Sequence, residues 1–237
     1  MEEINLQTLV IVAHPEYDDS STQAFLRRAQ ADFDSVTWHK LTVSDEPLDV
    51  ASEQQMLLQA DRIIFQFPMY WYSAPALLKQ WEDDVLTRAF TFASEQGKLA
   101  DKQLGIVTSL GYPEQEFQAG GTEGFSISEV LTPYRALAHR AGMQFLKPLV
   151  INQFAYLTDT EQAKLLIKYQ QYLTAPQPLR FQQRVAWIID QLQKWQVSQP
   201  QAQQPQIQLI INQLQEQQEH LDDLKEQIKL IRQAEEG

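Results

Sequence analysis

The 237-residue chain contains no cysteine. That excludes disulfides, thiolate-held iron–sulfur clusters and thiol catalysis. The residue balance fits a reducing cytoplasm. Positive charge is also scarce: 19 Lys and Arg against 31 Asp and Glu leave a net charge of −12. So acidic a chain repels phosphate backbones, which argues against nucleic acid as a partner. No apolar run approaches the roughly 20 residues of a membrane span. The N-terminal MEEINLQTLVIV lacks the basic start and cleavage site of a signal peptide. No spacing of His, Asp and Glu suggests a metal site.

What is present is a core-forming chain, 43% hydrophobic, long enough for one sizeable domain and an appendage. Strand-like and helical patterns alternate over residues 1–174. Strands are expected at Thr8–Ala13, Val36–Leu41, Arg62–Phe67, Leu104–Ser109 and Gln144–Ile151, the last interrupted by Pro148. Helices are expected at Thr22–Asp32, Ala51–Ala60, Pro75–Phe90, Ile127–Ala141 and Thr158–Leu173, with Gly142 as a stop and Thr158 as a cap. Such alternation predicts an α/β fold: a five-stranded parallel sheet in the flavodoxin-like order 2-1-3-4-5, with helices on both faces.

After residue 174 the character changes. A helical segment is expected at Arg180–Trp195, then a Gln/Pro linker, QVSQPQAQQPQ, to Gln206. Residues 207–237 carry a heptad pattern. Position a holds Ile207, Leu214, Leu221 and Ile228; position d holds Ile210, Gln217, Leu224 and Ile231. That predicts a coiled-coil tail with a polar register residue at Gln217 and a capacity for further association. A single amphipathic helix packed back on the domain is the alternative.

Three loops at strand ends could carry chemistry. The richest is FPMYWYSAP, Phe67–Pro75, between the third strand and its helix. Carboxyl ends of strands are where open α/β sheets bind ligands. Singly, Met69, Tyr70, Trp71 and Tyr72 suit a core loop; together they suit a site for a flat ring. The loop His14–Gln23 opens the first helix, whose N-terminus favours an anion. Ser20, Ser21 and Thr22 could hold a phosphate there, or Ser21 or Thr22 could simply cap the helix. Asp18 and Asp19 would then have to point outward. His14 suits general acid–base work or a structural role. The third loop, Thr108–Gly121, offers backbone N–H groups and glycines that permit close approach, as does a plain surface loop.

These loops, with Gly124–Ile151, resemble the flavodoxin-like NAD(P)H:quinone oxidoreductases, the DT-diaphorase-like family, in its short bacterial branch. The matching pieces are Ala13-His14-Pro15 with Ser20 and Gln23, Phe67–Lys79, and Thr108–Gly121. The resemblance covers residues 5–174. It implies a tightly bound flavin, FMN favoured over FAD, with its phosphate on the His14–Gln23 loop. The ring would lie against Pro68, Met69, Tyr70, Trp71, Tyr72, Thr108, Ser109, Leu110 and Gly111, with Glu114 a further contact. It implies a homodimer and two-electron ping-pong hydride transfer from NAD(P)H to quinones or related acceptors. The chain departs from the pattern at Gln23, where Asn is usual, and at Thr108–Gly111, where Thr-Thr-Gly-Gly is frequent. Phe117 stands where some members carry a Tyr that helps accommodate charge on the reduced flavin, and the accompanying His has no counterpart. Phe117 is thus the candidate on the acceptor side. Some relatives are ancillary subunits of glutathione-gated potassium efflux systems, which makes a regulatory module the alternative function. A one-electron carrier like flavodoxin is disfavoured by the nicotinamide-reductase motifs.

Overall fold

The computed structural model describes residues 6–44, 46–95 and 97–235. Residues 1–5 and 236–237, the outer ends of the expected first domain and tail, lie outside the described residues. The chain divides into two compact units, Met1–Thr174 and Ala175–Gly237.

The first unit runs β1 (Thr8–Val12), α1 (Ser21–Gln30), β2 (Val36–Lys40), α2 (Val50–Gln59), β3 (Arg62–Pro68), α3 (Ala76–Val85), α4 (Arg88–Thr91), β4 (Gln103–Leu110), α5 (Ile127–Val130), α6 (Thr132–Ala141), β5 (Gln144–Phe145), β6 (Leu149–Asn152) and α7 (Asp159–Thr174). The strands are parallel in the order β2-β1-β3-β4-β5, with β6 also on β4. This is the expected flavodoxin-like order. Alternate residues of the strands feed two cores. Leu9, Ile11, Phe65 and Ile106 pack with Leu57, Trp81 and Ala138 of α2, α3 and α6. Val10, Val12, Ile64 and Val107 pack with Leu26, Leu165 and Tyr169 of α1 and α7. Each fully buried large side chain contributes roughly 1.5–3 kcal/mol.

Close packing constrains β4. A Cβ on Gly105 would lie 2.5 Å from Ile64 Cδ1 and 2.6 Å from the Tyr172 hydroxyl. That hydroxyl accepts the Ile106 N–H at 3.1 Å, so α7 sits directly on the strand. Gly142 ends α6 in the left-handed conformation, φ 69°, as its position after Ala141 predicts.

Three expected elements are divided. The fifth strand is two pieces, because Pro148 has no N–H for the ladder; Leu146 makes the last bond of the first piece, to Leu104 C=O at 2.8 Å. The helix expected over 75–90 ends at Val85, whose C=O is taken by Gln54 Nε2 from α2 at 2.8 Å. The helix over 127–141 breaks at Leu131, and Pro133 opens α6, where no N–H is needed.

The second unit consists of α8 (Phe181–Ser198) and α9 (Gln204–Glu235). The 11-residue linker expected over 196–206 is therefore mostly helical. Pro200 cannot extend α8, whereas Pro205 suits the first turn of α9. Gln196 Nε2 donates to Gln204 C=O at 2.9 Å, and Gln204 Nε2 to Gln199 C=O at 3.0 Å, closing the connection.

The heptad seam is only partly as expected. Ile207 and Ile211 are buried against Ile189, with Val185, Leu192 and Leu214 beside them. Ile211 lies outside the a and d set, so α8 covers a face offset from the seam. Ile210, Leu221, Leu224, Ile228 and Ile231 are exposed. Gln182, at the start of α8, reaches Asp222 at 2.7 Å. The remaining 13 residues of α9 thus run about 20 Å further, at 1.5 Å per residue.

Candidate functional site

The three loops singled out in the sequence leave neighbouring strands at the same end of the sheet, since Val12 pairs with Gln66 and Pro68 with Ser109. The second loop is a tight turn. Tyr70 N–H donates to Ser73 C=O at 2.8 Å and Ser73 N–H to Tyr70 C=O at 3.0 Å. Trp71 and Tyr72, at φ 49° and 62°, occupy the left-handed region, the pattern of a type I′ turn. Glycine and asparagine are usual there; two bulky aromatics cost on the order of 1–3 kcal/mol each. The turn leaves Trp71 94% exposed and Tyr72 half-exposed beside it.

Across from the turn, Leu110, Gly111, Tyr112 and Phe117 of the third loop and Glu123 complete an open depression of about 210 Å³ with Met69, Trp71 and Tyr72. Tyr72 donates its hydroxyl proton to Glu123 Oε2 at 2.7 Å, a bond that raises the Tyr72 pKa. Glu116 accepts the N–H of Thr122 at 2.9 Å and also its hydroxyl, which lowers the Glu116 pKa and folds the loop over Phe117. Asn152 Nδ2 pins the loop's start through Tyr112 C=O at 2.9 Å.

In the first loop, His14 Nδ1 accepts Glu16 N–H at 3.1 Å. Burial lowers the His14 pKa, and Glu16 opposes this only in part. The cap of α1 is Ser20, not Ser21 or Thr22; its Oγ accepts Gln23 N–H at 3.3 Å. Ser21 is exposed and Thr22 half-buried. Gln23 turns into the core, where Gln66 Nε2 donates to its Oε1 at 2.6 Å and Tyr169 holds Gln66 at 2.8 Å. Asp18 points outward, its side chain 87% exposed, and meets Lys40 Nζ at 3.3 Å. Lys40, 4.2 Å above the Tyr17 ring, brings a cation to this loop that sequence reasoning did not pick out.

Of the expected ring-site residues, Met69, Trp71, Tyr72, Leu110, Gly111 and Phe117 therefore share one depression. Pro68 and Thr108 are buried in the strands beneath it, and Thr108 Oγ1 has no hydrogen-bond partner. Tyr70 and Ser109 flank it, and Glu114 is exposed on the outer side of the loop. Tyr112 and Glu123 were missed. Glu123 follows a glycine pair and has no local signal; only folding brings it to Tyr72, 51 residues away. The apolar wall, the backbone loop and the open space at Gly111, where an added Cβ meets nothing within 4 Å, fit one face and edge of a flat ring. Among the described residues, no group of three or more His, Asp or Glu could hold a metal ion, and no helix is long and apolar enough to cross a membrane.

A parallel sheet in this order, with the site at its carboxyl edge, defines a flavodoxin-like protein. A family model described as flavodoxin-like fold matches residues 7–173, and the chain belongs to that family. The uncharacterized NAD(P)H oxidoreductase YdeQ of Bacillus subtilis is 40% identical over 172 residues, 72% of this chain and 87% of that protein. The glutathione-regulated potassium-efflux system ancillary protein KefG of Cronobacter sakazakii is 34% identical over 172 residues, 72% of this chain and 94% of that protein. Among solved structures, an NADPH-quinone reductase from P. pentosaceus matches with a TM-score of 0.68 at 50% identity, over 71% of this chain and 98% of its own. General stress protein 14 of Treponema denticola, solved in complex with FMN, matches with a TM-score of 0.63 at 30% identity, over 70% and 97%. The family match stops at residue 173, before the second unit.

Proposed function

We propose that this chain is a flavin-dependent NAD(P)H oxidoreductase that reduces quinones or related flat acceptors by two-electron, ping-pong hydride transfer. The observation that carries this reading is the strained aromatic turn, Tyr70–Ser73, facing Leu110–Phe117 across one depression at the carboxyl edge of the sheet. Support comes from the 50%-identical NADPH-quinone reductase and from the FMN complex of a 30%-identical relative. FMN, when bound, supplies the hydride chemistry. The chain's residues bind and orient it. Trp71 and Tyr72 give its ring an apolar edge, and backbone at Leu110 and Gly111 approaches closely. The end of α1, with Ser20, Ser21 and Thr22, receives the phosphate without an inward-facing carboxylate. We assign Gln23 to packing beneath this loop, since its side chain bonds Gln66. Phe117 contributes shape on the acceptor side and has no proton to exchange.

A depression of about 210 Å³ is smaller than the ~300–1,000 Å³ of a complete ligand pocket. With Trp71 so exposed, we infer that a second copy covers the open side, making the catalytic unit a homodimer. We further infer that the exposed stripe of α9 associates with α9 of another copy. The match to KefG, together with a helical unit outside the family match, favours a regulatory subunit as the second reading. Steady-state NADH or NADPH oxidation with a benzoquinone separates the two. Turnover that requires both substrates supports the enzyme; flavin binding without turnover supports the module.

A further inference from the structure

Glu123 stands where the third loop meets the open depression of the ring site. Its N–H donates to Glu116 C=O at 3.1 Å, and the preceding Thr122 N–H donates to Glu116 Oε2 at 2.9 Å. Two successive residues are thus fixed to Glu116, which does not itself line the depression. The Glu123 side chain reaches across to the aromatic turn, where its Oε2 accepts the Tyr72 hydroxyl at 2.7 Å. That bond raises the Tyr72 pKa, so the phenol keeps its proton at neutral pH. With the proton committed, the Tyr72 oxygen has only lone pairs to offer, as does the carboxylate. The other lining residues, Met69, Trp71, Leu110, Gly111, Tyr112 and Phe117, carry no charge. Among the described residues lining the depression, Glu123 is therefore the one formal charge, and no Lys, Arg or His balances it.

We propose that Glu123 is a specificity-determining residue: it makes the ring site take flat molecules that are neutral or cationic and disfavour those that bear a carboxylate or sulfonate. This deepens the reading given under Proposed function and rests on it. An anionic substituent beside Glu123 meets a like charge and two oxygens with no hydrogen left to donate. Both effects oppose it. A neutral amide reverses the second effect, since its NH2 donates to Glu123 or to the Tyr72 oxygen. The nicotinamide carboxamide is a group of this kind, so one edge of the depression suits the reductant and screens the acceptor. Selection of this sort is a difference of affinities set by a repulsive element. Because the depression is open to water, the repulsion is screened by salt and amounts to a factor of several, short of outright exclusion.

The test uses the full chain and a matched pair of flat bicyclic ligands, naphthamide and naphthoate. Binding is followed through the Trp71 indole N–H resonance, with and without FMN. At low salt, wild type should bind the amide roughly 5- to 10-fold more tightly than the carboxylate. In Glu123→Gln the ratio should fall to about 2 or less, while Glu123→Asp, which keeps the charge, should retain most of it. Glu219→Gln removes the same charge from an exposed position on α9 and should leave the ratio unchanged. Raising the salt several-fold should narrow the wild-type ratio. With NADH as reductant, Glu123→Gln should also raise kcat/KM for naphthoquinone sulfonate, relative to that for naphthoquinone, by a similar factor. Equal affinities in wild type, a ratio that survives in Glu123→Gln, or one that collapses in Glu219→Gln overturns the proposal. Charge discrimination in binding without NAD(P)H turnover would leave the role of Glu123 standing and refute the oxidoreductase reading. Turnover without discrimination would refute the role of Glu123 alone.

Discussion

Trp71 combines two costs a stable protein avoids. It holds a large apolar ring in water and a bulky residue at φ 49°. On the proposed function, binding a flat ring would recover the first and give a reason for the second. Replacing Trp71 with Ala should leave the fold intact and weaken FMN binding roughly 2- to 10-fold, the range for one aromatic contact of 0.5–1.5 kcal/mol. Fluorescence titration of flavin-free protein measures it; unchanged affinity would mean the ring lies elsewhere. Glu82 of α3, its side chain 12% exposed, makes a stability prediction with a defined sign. Its pKa is raised from 4.5 to about 7, so the folded state binds the extra proton between those values and stability falls as pH rises through them. Glu82→Gln should gain on the order of 3 kcal/mol at pH 8 and almost nothing at pH 4, read from urea midpoints. At this scale the sequence showed the aromatic turn, because Pro68, Pro75 and four consecutive residues carry it locally. It did not show Glu123 or the buried carboxyl of Glu82, whose surroundings exist only after the elements around them pack together. It also put the α1 cap one or two residues late, since Ser20, Ser21 and Thr22 are equally good caps by type.

At the scale of elements, periodicity revealed the order and type of the pieces in the first unit. It could not reveal the breaks that depend on tertiary partners. At the stop after Val85, Gln54 of α2 takes the freed Val85 carbonyl, a partner 31 residues away in the chain. The Gln/Pro stretch misled for a related reason. Composition marks Gln196–Gln206 as unable to form a core, but glutamines can close a helix–helix connection with their own amides, and Pro205 is at home in a first helical turn. The apolar residues of α9 are divided between two surroundings. One face of α9 is taken by α8 through Ile207 and Ile211, and the stripe from Leu221 to Ile231 is left exposed. Ending the chain at Thr174 removes both helices without cutting either. That truncation should keep flavin content and quinone turnover, and should lower the solution mass by more than the deleted residues account for, as light scattering would show. Loss of flavin on truncation would make α8 and α9 part of the ring site; a mass that falls only by the deleted residues would refute association through α9.

The whole molecule joins an acidic, cysteine-free α/β unit to a helical one. Redox chemistry then has to come from a bound group, because the chain has no thiol of its own. Everything proposed about activity depends on that group being a flavin at the carboxyl edge of the sheet. The most direct measurement is the absorption spectrum of the purified full chain, followed by the mass of the cofactor released on denaturation. The account predicts an oxidised-flavin spectrum that bleaches on adding NADH or NADPH, and the mass of FMN at about one per chain. A colourless protein that takes up neither FMN nor FAD on reconstitution would contradict it.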